Sequence, residues 1–306
     1  MSDMTTTPSE VKDEPTNGQE RQQYLRRAPQ TSGDTVVAGA SHVVLIIWSI
    51  VIVVPVLWAI LSSFKTSSEI FASPFALPAE WSLTNYKTAW DLAGIGRYFL
   101  NTVIVVGSAL VLVMLLGSMA AYVLARFHFP GRRIVYYLFL AGNTFPIFLA
   151  IVPLFFVLKG MALLNTLPGL IITYVAFALP FTVFFLYAFF RSLPDEIAEA
   201  ASVDGAGLWS TFFRIMLPMA RPGLASITIF NFLGLWNQFL IPVAINTKQS
   251  NWVLSQGLAA FAGQMGYRTD FGALFASVVI TILPVLIMYI IFQRQLQSSV
   301  TQGAVK

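Results

Sequence analysis

The chain has 306 residues, of which 57% are hydrophobic and only 10% are charged, and its mean hydropathy is +0.73. Soluble domains contain about 25% charged residues, so this composition excludes an ordinary soluble protein and indicates a membrane protein. The net charge is +4, but the basic residues are scattered beside apolar runs, which fits membrane topology better than nucleic-acid binding. There is no cysteine, which excludes disulfides and thiolate metal sites.

The beginning of the chain differs in composition from the rest. Residues 1–40 are rich in Ser, Thr, Pro, Gln and charged residues, and they predict a disordered, cytoplasmic N-terminal tail because they offer little apolar surface to bury. An apolar run at 42–61 follows, long enough to cross a bilayer. A cleaved signal peptide is disfavoured, since the run is longer than a signal-peptide core and the following "SSFK" lacks a small-x-small cleavage site.

Further apolar runs of similar length follow along the chain. Runs this long and continuously apolar predict helices, because a membrane strand would alternate over about ten residues. The sequence therefore predicts an all-α, polytopic membrane protein with six transmembrane helices. The spans are expected near 42–61, 98–125, 134–158, 168–190, 222–245 and 271–292.

The positions of the basic residues predict the orientation of these spans. With the N-terminus inside, about two thirds of the 18 lysines and arginines fall in cytoplasmic segments, as the positive-inside rule requires. The short segment "RFHFPGRR" between spans two and three contributes much of this bias. Both termini are therefore expected in the cytoplasm, together with the segment 191–221 between spans four and five.

That segment, which includes "EAASVDGAGLWSTFFRIMLP", is unusually polar for this chain. Its first part predicts a short helix in which Ser192 can cap the N-terminus and Pro194 lies in the first turn. Asp195 and Glu196 complement the positive end of the helix dipole, and Gly205 ends the helix. A second short helix after the glycine turn places Leu208, Phe212 and Ile215 on one face and stops at 218.

Two interpretations of this helical pair remain open. Small residues at 200 and 201 with acids at 199 and 204 favour a docking surface for another protein. The alternative is an amphipathic hairpin lying on the lipid surface. The acidic polar face of the first helix speaks against the lipid alternative, since anionic lipid would repel it.

Polar residues inside the spans are candidates for a substrate path, because they are costly in lipid. We single out Asn143 in span three and the pair Trp236 and Asn237 in span five, since an aromatic face beside an amide suits a sugar. Alternatively, these amides and that of Asn231 join neighbouring helices or lie near a broken, proline-kinked turn. The spans contain no acid or base, which argues against a proton-driven carrier.

The segment "EAASVDGAGLWSTFFRIMLP" closely resembles the EAA loop of binding-protein-dependent ABC transporter permeases of the carbohydrate importer family. The resemblance extends over "AAYVLARFHFPGRR", "LWNQF" and "FQRQLQSSVTQGAVK", and is greatest to the maltose-type (MalG-like) inner-membrane subunit. Only the first forty residues lack a recognised counterpart. The residues that match the motif are Glu199, Ala200, Ala201, Asp204, Gly205, Ile215, Leu217 and Pro218.

This resemblance implies a type I ABC importer transmembrane domain over residues 41–298, with a cytoplasmic tail at 299–306. It implies that the EAA loop forms coupling helices that dock on a partner ATPase. This ATPase is expected to be a homodimer or a pair, and to bind ATP and Mg²⁺. The other implied partners are a second permease subunit (MalF-like) and an extracellular or periplasmic sugar-binding protein, which meets residues 246–270. This chain itself is expected to be no enzyme and to bind no cofactor, since it lacks a "GxxxxGK[ST]" phosphate loop.

The expected function is thus import of a di- or oligosaccharide across the cell membrane, powered by the partner ATPase. In maltose-type systems the sugar contacts lie mainly on the other permease subunit. A stand-alone secondary carrier is the alternative, but no internal repeat or charged midplane residue is visible. A membrane-embedded enzyme would need a nucleophile with a base, or metal ligands, inside the spans, and none is found in the sequence.

Overall fold

The computed structural model describes residues 32–263 and 270–303, with side chains over 37–263 and 270–293. Most of the described residues are helical and none lies in a strand, which agrees with an all-α fold. Shorter helical turns of other types lie at Thr88–Leu92 and Thr211–Met216 (π) and at Gln249–Asn251 (3-10). In chain order the α-helices are α1 (Ser32–Ser62), α2 (Ser67–Ala72), α3 (Thr84–Lys87), α4 (Ile95–Arg126), α5 (Arg132–Thr144), α6 (Ile147–Gly160), α7 (Leu167–Ser192), α8 (Asp195–Val203), α9 (Leu208–Ser210), α10 (Leu217–Met219), α11 (Arg221–Trp236), α12 (Leu240–Ile245), α13 (Leu254–Gly263) and α14 (Phe271–Gly303).

Both predicted tails are shorter than the sequence suggests. Helix α1 begins at Ser32, before the predicted end of the N-terminal tail at residue 40, and α14 extends to Gly303 inside the predicted tail 299–306. Neither extension contains a proline, so the backbone N–H groups needed to continue each helix past the apolar run are present. The remaining residues of the two predicted tails, 1–31 and 304–306, lie outside the described residues.

Within the described ranges, four helical segments are long and apolar enough to cross a bilayer: Val37–Ser62, Ile95–Arg126, Leu167–Ser192 and Phe271–Gln293. Helices α5 and α6 pass the same test as a pair, which gives five spans if the pair counts as one. The chain is therefore a multi-pass membrane protein. The predicted span 222–245 is divided between α11 and α12, so the count of six stays a prediction.

Contacts between residues of the chain group it into two compact units, Met1–Leu57 and Trp58–Lys306. In the first unit α1 exposes its large apolar side chains, and Leu45, Trp48 and Val51 are each more than half exposed. A helix that is apolar all round belongs either in lipid or in a core. This part of α1 therefore has the surface of a membrane helix.

The segment after α1 contains a buried lysine. Lys65 is 1% exposed, and its ammonium donates hydrogen bonds to the carbonyls of Ser73 and Pro74, each at 3.1 Å. The Pro74 carbonyl also accepts a hydrogen bond of 2.8 Å from the Trp58 indole. The sequence indicates only that Lys65 is an outer-loop charge. The structure shows that it holds two chain segments together, since a buried ammonium without partners is strongly disfavoured.

Helices α4 and α7 approach each other closely at Gly117. A Cβ atom added there would lie 2.6 Å from the Thr182 methyl group. Thr182 cannot easily move, because its hydroxyl donates to the Ala178 carbonyl at 2.8 Å and accepts from the Asn231 amide at 2.8 Å. A small residue is thus required where these two membrane helices meet, as is common at helix contacts in lipid.

We therefore expect Gly117→Leu to destabilise the folded chain by about 1–3 kcal/mol through overpacking. The measurement is the temperature at which the purified full chain aggregates in detergent. Gly107→Leu is the matched control, because Gly107 lies on the same helix and an added Cβ there meets no atom within 4 Å. Equal aggregation temperatures for the two variants would contradict the close approach.

The predicted continuous span 134–158 is wrong in one respect. The chain bends by 105° between α5 and α6. Phe145 adopts an extended conformation before Pro146, which has no N–H group for the helix ladder. Asn143, Thr144 and Pro146 mark the break in the sequence, but the flanking apolar residues keep the whole segment above the hydropathy expected of one span.

Candidate functional site

The EAA-like segment forms a helical hairpin, defined here as residues 195–219 and called the hairpin below. Its first arm is α8, which ends in a Schellman motif: the N–H of Ala206 donates to the Ala201 carbonyl at 2.9 Å, and the N–H of Gly205 donates to the Ser202 carbonyl at 3.1 Å. Gly205 has φ of 75°, the left-handed conformation that this motif needs. The second arm contains α9, a π-helical turn and α10.

One expectation about the start of α8 is wrong. Ser192 does not cap α8, because it is the last residue of α7 and its hydroxyl donates to the Phe189 carbonyl at 2.7 Å. The residue at the cap position is Pro194, which forms no side-chain hydrogen bond. Arg126 at the end of α4 takes over the anchoring of this end. It forms an ion pair with Asp195 and donates a 2.7 Å hydrogen bond to the Leu193 carbonyl.

This ion pair was not found from the sequence. Arg126 and Asp195 are far apart in the chain, and in the sequence Arg126 only contributes to the positive-inside bias. The Arg126 side chain is 8% exposed, whereas that of Asp195 is 82% exposed. The pair therefore joins a largely buried cation at the end of a membrane helix to the surface of the hairpin.

The inner face of the hairpin belongs to a buried apolar cluster. Phe212 and Met216 are 3% and 0% exposed, and they pack with Tyr122 of α4 and Phe190 of α7. The ring centroids of Tyr122 lie 5.1 Å from those of Phe212 and 5.6 Å from those of Phe190. The sequence places Phe212 with Leu208 on one face, but Leu208 is exposed. Leu208 precedes the π-helical turn, which begins at Thr211, and it lies outside the buried cluster.

The tip of the hairpin is exposed. Glu199, Asp204 and Gly205 are all exposed, and a Cβ added to Gly205 would meet no atom within 4 Å. Large apolar side chains accompany these acids, with Val203 87%, Leu208 69% and Trp209 65% exposed. An exposed patch that combines acids and large apolar groups is typical of a surface that meets a partner.

The other residues of the motif lie either at the exposed tip of the hairpin or at its root, which is the part that packs against the membrane helices. Ala200 is exposed, whereas Ala201 is 5% exposed. Ile215 and Leu217 are partly buried against the apolar cluster, and Pro218 is also half-buried. The motif thus contains both a surface that points outward and a root that fixes this surface to the membrane helices.

The candidate residues for a substrate path are not brought together as a sugar site. Trp236 is 5% exposed and packs against Phe232 and Phe99, and its indole N–H donates to the Thr281 carbonyl at 3.2 Å. Asn237 is exposed, and its amide donates to the Leu233 carbonyl at 2.9 Å. This geometry gives Trp236 a packing role.

The remaining polar candidates differ in burial: one is exposed and one is buried. Asn143 is exposed on α5. Asn231, by contrast, is buried and joins α11 to α7 through Thr182. The alternative interpretation, in which amides connect neighbouring helices, therefore describes Asn231.

The predicted loop at 246–270 is more ordered than the sequence suggests. Its described part, up to residue 263, contains a 3-10 turn and α13. Asn101 of α4 donates to the carbonyls of Ser250 and Trp252 at 3.0 and 2.9 Å, and Thr102 accepts from the Leu254 N–H at 2.7 Å. This segment is thus held against α4. Residues 264–269 lie outside the described residues.

Comparisons with known proteins agree with this architecture. Residues 113–302 match the family described as "Binding-protein-dependent transport system inner membrane component". The chain is 63% identical over 279 residues to the diacetylchitobiose uptake system permease protein NgcG of Streptomyces coelicolor, covering 91% of this chain and 92% of that protein. The match extends over most of both proteins, so it includes the hairpin and the spans.

Two solved structures share the fold. One is a bacterial ABC transporter involved in the import of the acidic polysaccharide alginate, with a TM-score of 0.76, 20% identity, and coverage of 86% of this chain and 98% of that chain. The other is a bacterial alginate ABC transporter in complex with an alginate pentasaccharide-bound periplasmic protein, with a TM-score of 0.63, 15% identity, and coverage of 83% and 92%.

Fold and matches together define a permease subunit of an ABC importer. The chain belongs to the family of binding-protein-dependent transport system inner membrane components. The alternative of a stand-alone carrier finds no support in these matches.

Proposed function

We propose that this chain is the permease subunit of an importer for a sugar of the diacetylchitobiose class. The identity of 63% with a diacetylchitobiose permease supports this choice of sugar. ATP and Mg²⁺ are bound by a partner ATPase pair, since the chain lacks a phosphate-binding loop motif. A second permease subunit completes the path through the membrane.

In this proposal the hairpin transmits the conformational change of the ATPase to the membrane helices. The observation that supports this role is the contrast between the exposed tip and the buried root of the hairpin. Phe212 and Met216 pack between α4 and α7, and Arg126 ties the start of α8 to the end of α4. A displacement of the tip is therefore passed to these helices as a rigid-body motion, because packed elements shift together.

The proposed topology has six spans with both termini in the cytoplasm. Two features support six spans: α5 and α6 together have the length and hydropathy of one bent span, and α11 with α12 covers the predicted fifth span. The basic residues favour a cytoplasmic position for the hairpin and the termini. In this topology the segment 246–263, held against α4, faces the substrate-binding protein on the outside.

The proposed substrate path lies toward the second subunit. Asn143 and Asn237 remain candidates because both are exposed and can face another chain. The burial of Trp236 favours a structural contribution to the same region, since its ring supports the end of α11.

The test is the ATPase activity of the reconstituted importer, containing this chain, its second subunit, the ATPase and the sugar-binding protein. We expect diacetylchitobiose to stimulate the activity several-fold. Cellobiose is the matched control, because it has the same linkage but hydroxyl groups in place of the acetamido groups. A site that hydrogen-bonds the acetamido group rejects a sugar that lacks it.

Two results would contradict the proposal in different ways. Stimulation by cellobiose, maltose or trehalose but not by diacetylchitobiose would overturn the choice of sugar while keeping the importer. Uptake by this chain alone in liposomes, without an ATPase, would overturn the coupling role of the hairpin.

A further inference from the structure

A basic cavity lies beside the hairpin, at the same end of the membrane helices. Its volume is about 800 Å³, and its lining includes Arg132, Arg133 and Arg191. Arg132 and Arg133 are at the start of α5, and Arg191 is one residue from the end of α7. Three guanidinium groups from two helices thus surround one open space.

The three arginines outnumber the acids around them, because Asp195 and Glu199 line only the adjoining cavity, which shares Arg132 and Arg191 with this one. No aspartate or glutamate lines the cavity, and within the described part of the chain the ion pair of Arg126 with Asp195 involves none of the three. Arg132 and Arg133 also lie at the positive end of the α5 dipole, which is unfavourable for a cation. The concentration of positive charge therefore calls for an anion, because guanidinium groups bind phosphate oxygens in a bidentate manner.

Tyrosines hold the arginines in this arrangement. The Arg191 guanidinium lies 5.9 Å from the centre of the Tyr187 ring, and Arg132 also approaches the Tyr187 hydroxyl. Tyr136 packs against Tyr187 with ring centroids 4.5 Å apart. The side chains are thus positioned around the cavity by contacts within this chain.

An apolar stripe begins at the rim of the cavity. Ile134 lines the cavity and is 67% exposed, and Leu138, one turn further along α5, is 66% exposed. The arginines lie where the apolar spans end, which is the level of lipid headgroups. A ligand that fits both features has a phosphate for the arginines and an acyl chain for the stripe.

We propose that this cavity binds the headgroup phosphate of an anionic phospholipid, whose acyl chains run along α5. Basic pockets between membrane helices are suited to such headgroups. The site adjoins a second cavity of about 690 Å³ that reaches Glu199 and Ser202 of the hairpin. The bound lipid therefore supports the loop next to the hairpin and links lipid composition to the coupling end of the permease.

The test is native mass spectrometry of the full chain, purified in a neutral detergent and titrated with phosphatidylglycerol or phosphatidylcholine. We expect tighter binding of phosphatidylglycerol. The double variant Arg132→Gln with Arg191→Gln should weaken that binding roughly 25-fold, at about fivefold for each basic side chain removed. The double variant Arg214→Gln with Arg221→Gln is the matched control, since it removes the same charge outside the cavity.

Several results would overturn this inference. They are equal binding of the two lipids, equal losses in the two double variants, or displacement of the lipid by inorganic phosphate, which would indicate a free-anion site. Displacement by an acidic segment of the partner ATPase would identify a protein ligand instead. If the Arg132 and Arg191 variant does not fold, Arg133→Gln serves in its place, because Arg133 is exposed, and about a fivefold loss is expected.

Discussion

Replacing Gly205 with aspartate is expected to reduce sugar uptake by the assembled importer to background, while the amount of the chain in the membrane stays unchanged. A Cβ added there meets no atom of this chain within 4 Å, so the new side chain has space at the surface of the hairpin. The φ of 75° costs an L-residue about 1–2 kcal/mol, less for aspartate than for most residues. The defect then arises where the tip meets the ATPase, and it is measured as uptake and as sugar-stimulated ATPase activity.

The control for this variant is Gly205→Ala. Alanine meets at least as much backbone strain as aspartate, but it adds only a methyl group and no charge to the tip. We expect it to retain most of the uptake. Normal uptake by the Gly205→Asp variant, or equal loss in both variants, would show that the tip of the hairpin is not a docking surface.

Phe212→Ala is expected to have the largest effect on stability, about 3–5 kcal/mol, because it leaves a cavity in a packed cluster. Phe212 is 3% exposed and packs on Tyr122, so the lost contacts join the hairpin to α4. The same variant should weaken the coupling of ATP hydrolysis to sugar transport, since the root of the hairpin packs less tightly against α4. The measurements are the aggregation temperature of the full chain in detergent and the sugar stimulation of the importer.

The neighbouring residue provides the control. Phe213 is 43% exposed, so Phe213→Ala removes an aromatic ring of the same size from the surface. We expect its effect on the stability of the isolated chain to be below about 1 kcal/mol. Equal destabilisation by the two substitutions would contradict the assignment of Phe212 to the root of the hairpin.

Local patterns were enough to predict most of the helical elements. The apolar runs coincide with α1, α4, α7 and α14, because hydropathy reflects the lipid environment directly. The two-armed hairpin was also predicted, since proline and glycine act on the backbone at their own positions. The π-helical turn at Thr211–Met216 was not predicted, because no local residue pattern distinguishes it from an α-helical turn.

Long-range contacts explain the remaining differences. The distribution of basic residues says of Lys65 only that it lies in an outer segment, whereas the structure buries it against the carbonyls of Ser73 and Pro74. Trp236 was interpreted as part of a sugar path, but its ring packs against Phe99 of another helix. In both cases the side chain is suitable for either role, and its neighbours in space determine which role it has.

Composition and residue order thus establish a helical membrane protein with an exposed glycine turn, since both depend on each residue's own preference for lipid, water and backbone conformation. The connection between the hairpin and the membrane helices depends on packing. Arg126 meets Asp195, and Phe212 meets Tyr122, only after α4, α7 and α8 have come together. Contacts between residues distant in the chain are set by how the helices pack, so the route from the hairpin to the spans becomes visible only in the folded molecule.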